Sequence, residues 1–315
     1  MTTIINAARL HQHGEPLRVE SAELPEPGQD EVQVDLVFGG VNPVDRYMAE
    51  GSVAPDVQLP RTLGAEASGT LEGRPVLVAG GGLGAVRDGV WAQAAVVPRG
   101  LVIELPEGVE PDQAATMGIA GLTAWHAVRG LARVGAEDRV LVLGASGGVG
   151  SMIVSLTRAA GATVWGQTGS PEKAAAIEED GAERAVVAGP EEVGEALGDL
   201  EPTVVFDPLG DGFVRPAVEA LAPRGRLVSF GTSAGAEVEF NLQTLYRKSA
   251  AILGYGGMMV GPHERREGLR RALEALRDGH LRVRIDEVLP LERVNEAFRR
   301  LVERRVKGKL LLDLS

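Results

Sequence analysis

Residues Val140–Met152 read VLVLGASGGVGSM. Four apolar residues lead into Gly-Ala-Ser-Gly-Gly-Val-Gly, and an apolar, helix-like run follows. A strand, a glycine loop and a helix in that order can hold a phosphate. The loop's backbone N–H groups point at it, and the positive end of the helix dipole favours its charge. Gly147 and Gly150 match the last two glycines of a G-x-G-x-x-G pattern, and Ala145 stands at the first. The same letters also suit a tight turn in an α/β core, so the flanking segments decide between the two.

The end of the next apolar run bears on which ligand such a loop would take. A site for an unphosphorylated ribose places a carboxylate about 20 residues on, to bond the 2′-hydroxyl. Here the slot reads Gln167-Thr168-Gly169-Ser170, with no acidic residue. Ser170 and Lys173 stand at the next helix start, where a 2′-phosphate would sit. Ser170 as a plain cap and Lys173 as a solvated helix residue are equally compatible with the letters, and capping and phosphate binding use the same helix end.

The elements around these residues fall into two regimes. Up to about residue 110 the chain is β-rich. EVQVDLVFGGV alternates as a half-buried strand does, LPEPGQD is turn chemistry, and VNPVDRYMAEG is a helical turn closed by Gly51. This pattern predicts a small barrel or sandwich. Helical residues begin at Pro111, interrupted at Gly118–Gly121. From Arg139, strand and helix alternate to about Gly256, which predicts a doubly wound parallel sheet with right-handed crossovers. In that setting the glycine loop reads as a dinucleotide site. A charged helix (His263–Asp278), a strand at DEVLP, a helix (Leu291–Glu303) and a last strand, KGKLLLDL, could extend the second part or return to the first.

Composition excludes several classes. The chain has 315 residues, 44% of them hydrophobic, with 42 glycines and a mean hydropathy of +0.02. It is long enough for two domains. A net charge of −12 argues against nucleic acid and against anionic membranes, both of which call for a basic face. There is no cysteine, which removes disulfides, thiolate catalysis and Cys-ligated zinc. No window approaches the roughly 18 apolar residues of a membrane span, and the N-terminus lacks a signal-peptide run. The expectation is a cytoplasmic protein.

Five segments in order now resemble a known family: GVNPVDRY (Gly40–Tyr47), LPRTLGAEASG (Leu59–Gly69), GLTA (Gly121–Ala124), the glycine loop, and the closing Leu291, Ala297-Phe298 and Gly308-Lys309-Leu310. Together they are similar to the zinc-free quinone oxidoreductase branch of the medium-chain dehydrogenase/reductase superfamily, over nearly the whole chain. The resemblance implies a Rossmann-type domain (116–256) inserted into a chaperonin-10-like (GroES-like) β-rich domain (1–115 plus 257–315). It implies NADPH as cofactor, with NADH possible, held by Thr123, Ala145, Ser146, Gly147, Gly148, Val149, Gly150, Ser170, Lys173, Gly231 and Lys309. Zinc-dependent relatives carry a Cys where this chain has Asn42 and a His where it has Ala65, so no metal is expected. Ala188 stands where the family often has an aromatic residue beside the adenosine phosphate, which weakens the expected preference for NADPH. The segment LEGRPVLVAGGGLGAVRDGVWAQ is shorter than usual in the family.

The expected reaction is hydride transfer to a quinone or another conjugated carbonyl, an enone or enal. Asn42 and Tyr47 are the candidate catalytic groups near the acceptor. Asn42 as a helix cap and Tyr47 as a packed aromatic are the competing readings, and Asp45 reads as structural. His11 and His13 read as solvent-exposed, and His126 as a core residue. Rival functions are a zinc-dependent alcohol dehydrogenase, an enoyl-thioester reductase and a non-enzymatic dinucleotide-binding relative. AAILGYGGMM (Ala250–Met259) is an apolar, strand-like segment at the expected sheet edge, and it predicts a homodimer.

Overall fold

The structure is a computed structural model and describes residues 3–198 and 200–315. It divides into two compact units. The first holds residues up to Leu122 together with Gly261–Arg277 and Ile285–Ser315; the second holds Thr123–Val260 and Asp278–Arg284. The first boundary therefore lies seven residues beyond the expected 115, because 116–122 pack with the β-rich unit; residues 257–260 and 278–284 also belong to the second unit.

In the first unit, strand Glu31–Val41 is the organising element. Its alternating EVQVDLV buries Val32, Val34 and Leu36 and exposes the residues between them. It pairs antiparallel with Glu66–Leu71, Ala94–Pro98 and the C-terminal strand Lys309–Asp313. These belong to a seven-stranded sheet, and Thr3–Leu10 centres a smaller three-stranded one. Trp91, fully buried, lies in the core along with Leu10, Val34, Val76, Leu310 and Leu312. At the end of Glu31–Val41 the chain turns into helix Pro43–Glu50. Proline occupies the first turn, where its missing N–H costs nothing, and Gly51 closes the helix at φ 78°, a left-handed conformation that glycine adopts without strain.

The second unit is a six-stranded, all-parallel sheet. Its spatial order is Arg184–Val187, Thr163–Thr168, Arg139–Val142, Val204–Asp207, Arg226–Ser229 and Ala251–Gly254. This is the doubly wound order whose first strand lies centrally. Short apolar runs such as Val140-Leu141-Val142 and Val204-Val205-Phe206 are buried, as parallel strands covered on both faces must be. The expected helices are present with shifted ends. The segment from Pro111 is less regular than a single helix: π-helical turns span Met117–Gly121 and His126–Ala132, with Leu122–Trp125 α-helical between them.

Candidate active site

The candidate residues fall into two groups, one in each unit. In the second, strand Arg139–Val142 runs into the glycine loop and helix Gly148–Ala159, with Gly147 at the N-cap. Gly144 takes φ +59°, which reverses the chain. A Cβ at Gly150 would collide with the Gly144 carbonyl and lie 2.8 Å from the Ala145 Cα. Glycine is thus required for the helix to start so close to the loop. Ser146, Gly147, Gly148 and Val149 are half-buried. The N–H groups of the first helical turn have no acceptor within the helix, which makes Gly148, Val149 and Gly150 the donors suited to a pyrophosphate.

Ala145 plays a different part from the one expected. It is fully buried, and its N–H donates to the Gln167 carbonyl at 2.9 Å. It packs the loop against the second strand and has no donor left for a cofactor. Gly147 likewise gives its N–H to the Gly144 carbonyl at 3.0 Å, so it shapes the turn.

Gln167, whose significance in the sequence was only that it is not acidic, holds the loop in place. Its side chain accepts from Gly144 N at 3.0 Å and donates to the Ala188 carbonyl at 2.6 Å. Ala188 is therefore tied through its backbone and is 5% exposed. Beyond it, Ser170 begins a 3₁₀ turn, Pro171–Lys173, that leads into helix Ala174–Glu179. The Ser170 side chain makes no capping hydrogen bond, and both Ser170 and Lys173 are half-buried. Asp207 ends the fourth strand in sequence order, fully buried. Its carboxylate accepts from Leu209 N and Gly210 N. Burial pushes its pKa up, and these two donors oppose the shift. A Cβ at Gly231 would lie 2.8 Å from the Pro208 carbonyl oxygen, so that glycine serves a close backbone approach. Thr123 is half-buried on the short helix Leu122–Trp125. His126 is half-buried rather than in the core, and it stacks on Tyr255 with ring centroids 5.7 Å apart.

In the first unit, three adjacent strands bring together residues that are far apart in sequence. The register Leu310↔Val41 sets Lys309 beside Asn42. On the other side, Gly39↔Ala67 brings Glu66 to the same end. The Lys309 ammonium donates to the Val41 carbonyl at 3.0 Å, Asn42 Oδ1 at 2.6 Å and Glu66 Oε1 at 3.0 Å. Asn42 Nδ2 donates to the same Glu66 oxygen at 2.7 Å, and the other oxygen accepts from Ile119 N at 2.8 Å. All three side chains are buried. A lysine has three protons to donate, and all three are used. Expected at the cofactor, Lys309 here gives its protons to groups of the protein and is the counter-ion of Glu66.

Asp45 supports this cluster from behind. Its carboxylate accepts from Asn42 N at 2.8 Å and from Ala65 N at 3.0 Å, joining the two segments that carry Asn42 and Glu66. Complete burial is the main reason its pKa rises to about 7. The neighbouring Glu66 adds to the rise, and the two N–H donors and Lys309 oppose it. Asn42 does occupy the N-cap position of helix Pro43–Glu50, but its carboxamide is engaged by Lys309 and Glu66. Tyr47 is half-buried, with the Arg46 guanidinium 4.9 Å from its ring centroid. Next to the cluster, Met48, Ala65 and Ala85 form an apolar patch with Val44, Val53, Ala54 and Ile119.

Sequence reasoning missed Glu66. The available signal was Gly40 and Gly118: a Cβ at either would run into the Glu66 side chain. Among the described residues no group of three or more His, Cys, Asp or Glu side chains could hold a metal ion, and no helix is long and apolar enough to cross a membrane.

Comparison with known proteins agrees with this architecture. Residues 148–274 match the family model described as zinc-binding dehydrogenase. That span does not reach the segments carrying Asn42 and Ala65. The chain is 31% identical over 260 residues to the quinone oxidoreductase of Salmonella typhimurium, covering 76% of this chain and 77% of the relative. It is 30% identical to quinone oxidoreductase-like protein 2 of Bos taurus, covering 95% and 89%. The solved quinone oxidoreductase of Pseudomonas syringae pv. Tomato superposes with a TM-score of 0.85 at 28% identity, covering 98% of this chain and 99% of that one. This chain belongs to the quinone oxidoreductase branch of the medium-chain dehydrogenase/reductase superfamily and is an NAD(P)H-dependent oxidoreductase.

Proposed function

We propose that this enzyme is an NADPH-preferring, metal-independent reductase that passes a hydride to a quinone or another conjugated carbonyl. One observation carries the reading. Where zinc-dependent relatives hold Cys and His, this chain has Asn42, bound to the buried Glu66–Lys309 pair, and Ala65. A carboxamide and a methyl group offer no metal-binding pair, but they do offer a hydrogen-bond donor beside a small apolar patch, the usual make-up of a ligand site. Conjugated carbonyls accept hydride with less Lewis-acid help than simple ketones need.

The residues fit a dinucleotide. Gly150 lets the helix start close against the loop backbone, and the half-buried Ser146–Val149 stretch leads into the helix. Gly148, Val149 and Gly150 would hold the pyrophosphate through N–H groups. Ser170 and Lys173 would hold the 2′-phosphate in a slot without a carboxylate, and Thr123 would position the nicotinamide. The cofactor, when bound, supplies the hydride. The chain's own work is to fix the loop through Gln167, orient both reactants and place donors where negative charge develops on the acceptor oxygen.

Purified protein given NADPH with a panel of quinones, enones, simple ketones and enoyl thioesters tests the reading. The expected outcome is turnover of quinones or enones, no turnover of simple ketones, and rates unchanged by chelator. Activity confined to enoyl thioesters, or lost to chelation and restored by zinc, would replace it.

A further inference from the structure

Lys309 and Glu66 do more than balance each other's charge. An ammonium can only donate a hydrogen bond and an ionised carboxylate can only accept one. Lys309 Nζ lies 2.6 Å from one terminal atom of the Asn42 carboxamide, and Glu66 Oε1 lies 2.7 Å from the other. The amide oxygen must therefore face Lys309 and the nitrogen must face Glu66. A flip would set donor against donor and acceptor against acceptor. Of the two Nδ2 protons, one goes to Glu66 and the second has no acceptor among the described side chains and backbone. The same knot adjoins the apolar patch: Val44 follows Asn42 by two residues, Ala65 precedes Glu66, and Ile119 donates its N–H to Glu66.

We propose that Lys309 and Glu66 are positioning residues that present the second Asn42 Nδ2–H to the carbonyl oxygen of the hydride acceptor. The proposal rests on the reductase reading above and adds to it how the acceptor oxygen is held. The ammonium on Oδ1 draws electron density from the amide and strengthens its remaining donor. As hydride adds to the conjugated carbonyl, charge grows on the oxygen, and a donor fixed in advance stabilises it without reorganising. Asn42 gives up no proton. The oxyanion that hydride addition leaves takes its proton from solvent, on oxygen to give a hydroquinone or on the α-carbon to give a saturated ketone or aldehyde.

The test needs a variant that frees the amide without stranding a charge. Losing Lys309 alone would leave Glu66 buried and unpaired. The double variant Glu66→Gln/Lys309→Met is neutral and close in volume, and it leaves the dinucleotide loop intact. Circular dichroism checks its fold. We expect an unchanged dissociation constant for the dinucleotide by calorimetry and a kcat for quinone lower on the order of 100-fold. Should the double variant not fold, Asn42→Asp carries the kinetic test, since it exchanges donor for acceptor at constant shape.

An independent readout is the Asn42 side-chain amide followed by NMR in the wild-type protein without substrate. The proton bonded to the Glu66 carboxylate should resonate downfield of its position in a free carboxamide, as a charge-assisted hydrogen bond requires. A folded variant with wild-type kcat, or a wild-type Asn42 amide with both protons at free-carboxamide positions, would overturn the proposal. If the wild type reduces no acceptor at all, the reductase reading fails while the amide measurement still reports whether the orientation is fixed.

Discussion

Single residues in this protein are set by what surrounds them more than by their type. Asp45 is the sharpest case. It is fully buried, it bridges Asn42 N and Ala65 N, and its pKa rises from an ordinary 3.8 to about 7. The folded chain then holds a proton that the unfolded chain has released across this interval, so stability is greatest below pH 4 as far as this group is concerned. It falls as pH rises through 7. Between pH 5 and pH 8 the loss amounts to about 3 kcal/mol. Other groups titrate as well, and the difference between wild type and Asp45→Asn isolates this one. Guanidinium unfolding at pH 5 and pH 8 should show the wild type losing that much more than the variant. Parallel pH dependences in the two proteins would mean that Asp45 does not titrate in this window.

At the scale of elements, the cofactor half of the site follows from strand ends and helix starts. The sheet brings the ends of Arg139–Val142 and Thr163–Thr168 side by side, and no carboxylate ends the second. Lys173, one of four lysines in the chain, then lies at the next helix start. A charge-assisted contact to a 2′-phosphate contributes about 1.5–3 kcal/mol. Lys173→Ala should therefore weaken NADPH roughly 10- to 100-fold and leave NADH almost unchanged, as titration calorimetry with both dinucleotides would register. Equal losses for the two would show that the phosphate is not read there. The elements of this half were legible in the sequence because they are local: the glycine loop and the strand–helix alternation lie within short windows. The bonds that hold Ala145 and Lys309 within the protein were not legible, for the opposite reason. Ala145 is consumed by Gln167, a strand away, and Lys309 by Glu66, 243 positions earlier in the chain. No periodicity records that two distant strands end at the same place. The π-turns at Met117–Gly121 and His126–Ala132 also left only glycines as a trace.

At the scale of the molecule, the question is what covers the open side of the parallel sheet. Strand Ala251–Gly254 pairs with Arg226–Ser229 on one side, and among the described residues no strand pairs with it on the other. Ile252 is 38% exposed on this strand, and Met258 and Met259 just beyond it are 74% and 88% exposed. Leu242 and Tyr246 on the preceding helix Leu242–Arg247 are also exposed. An apolar strand with free N–H and C=O groups is a template for another strand. Its complement can be a second copy of itself. Two such strands related by a two-fold axis run antiparallel, satisfy each other's backbone and bring the same methionines together from both chains, as a self-complementary interface requires. We therefore predict a homodimer joined along Ala251–Gly254, with both sheets merged into one. Sedimentation of the wild type at micromolar concentration should give twice the chain mass. Ile252→Lys, which places a charge on the shared edge, should shift the protein to a monomer that still binds the dinucleotide. A wild-type monomer under these conditions would refute the pairing, as would an Ile252→Lys protein that stays dimeric.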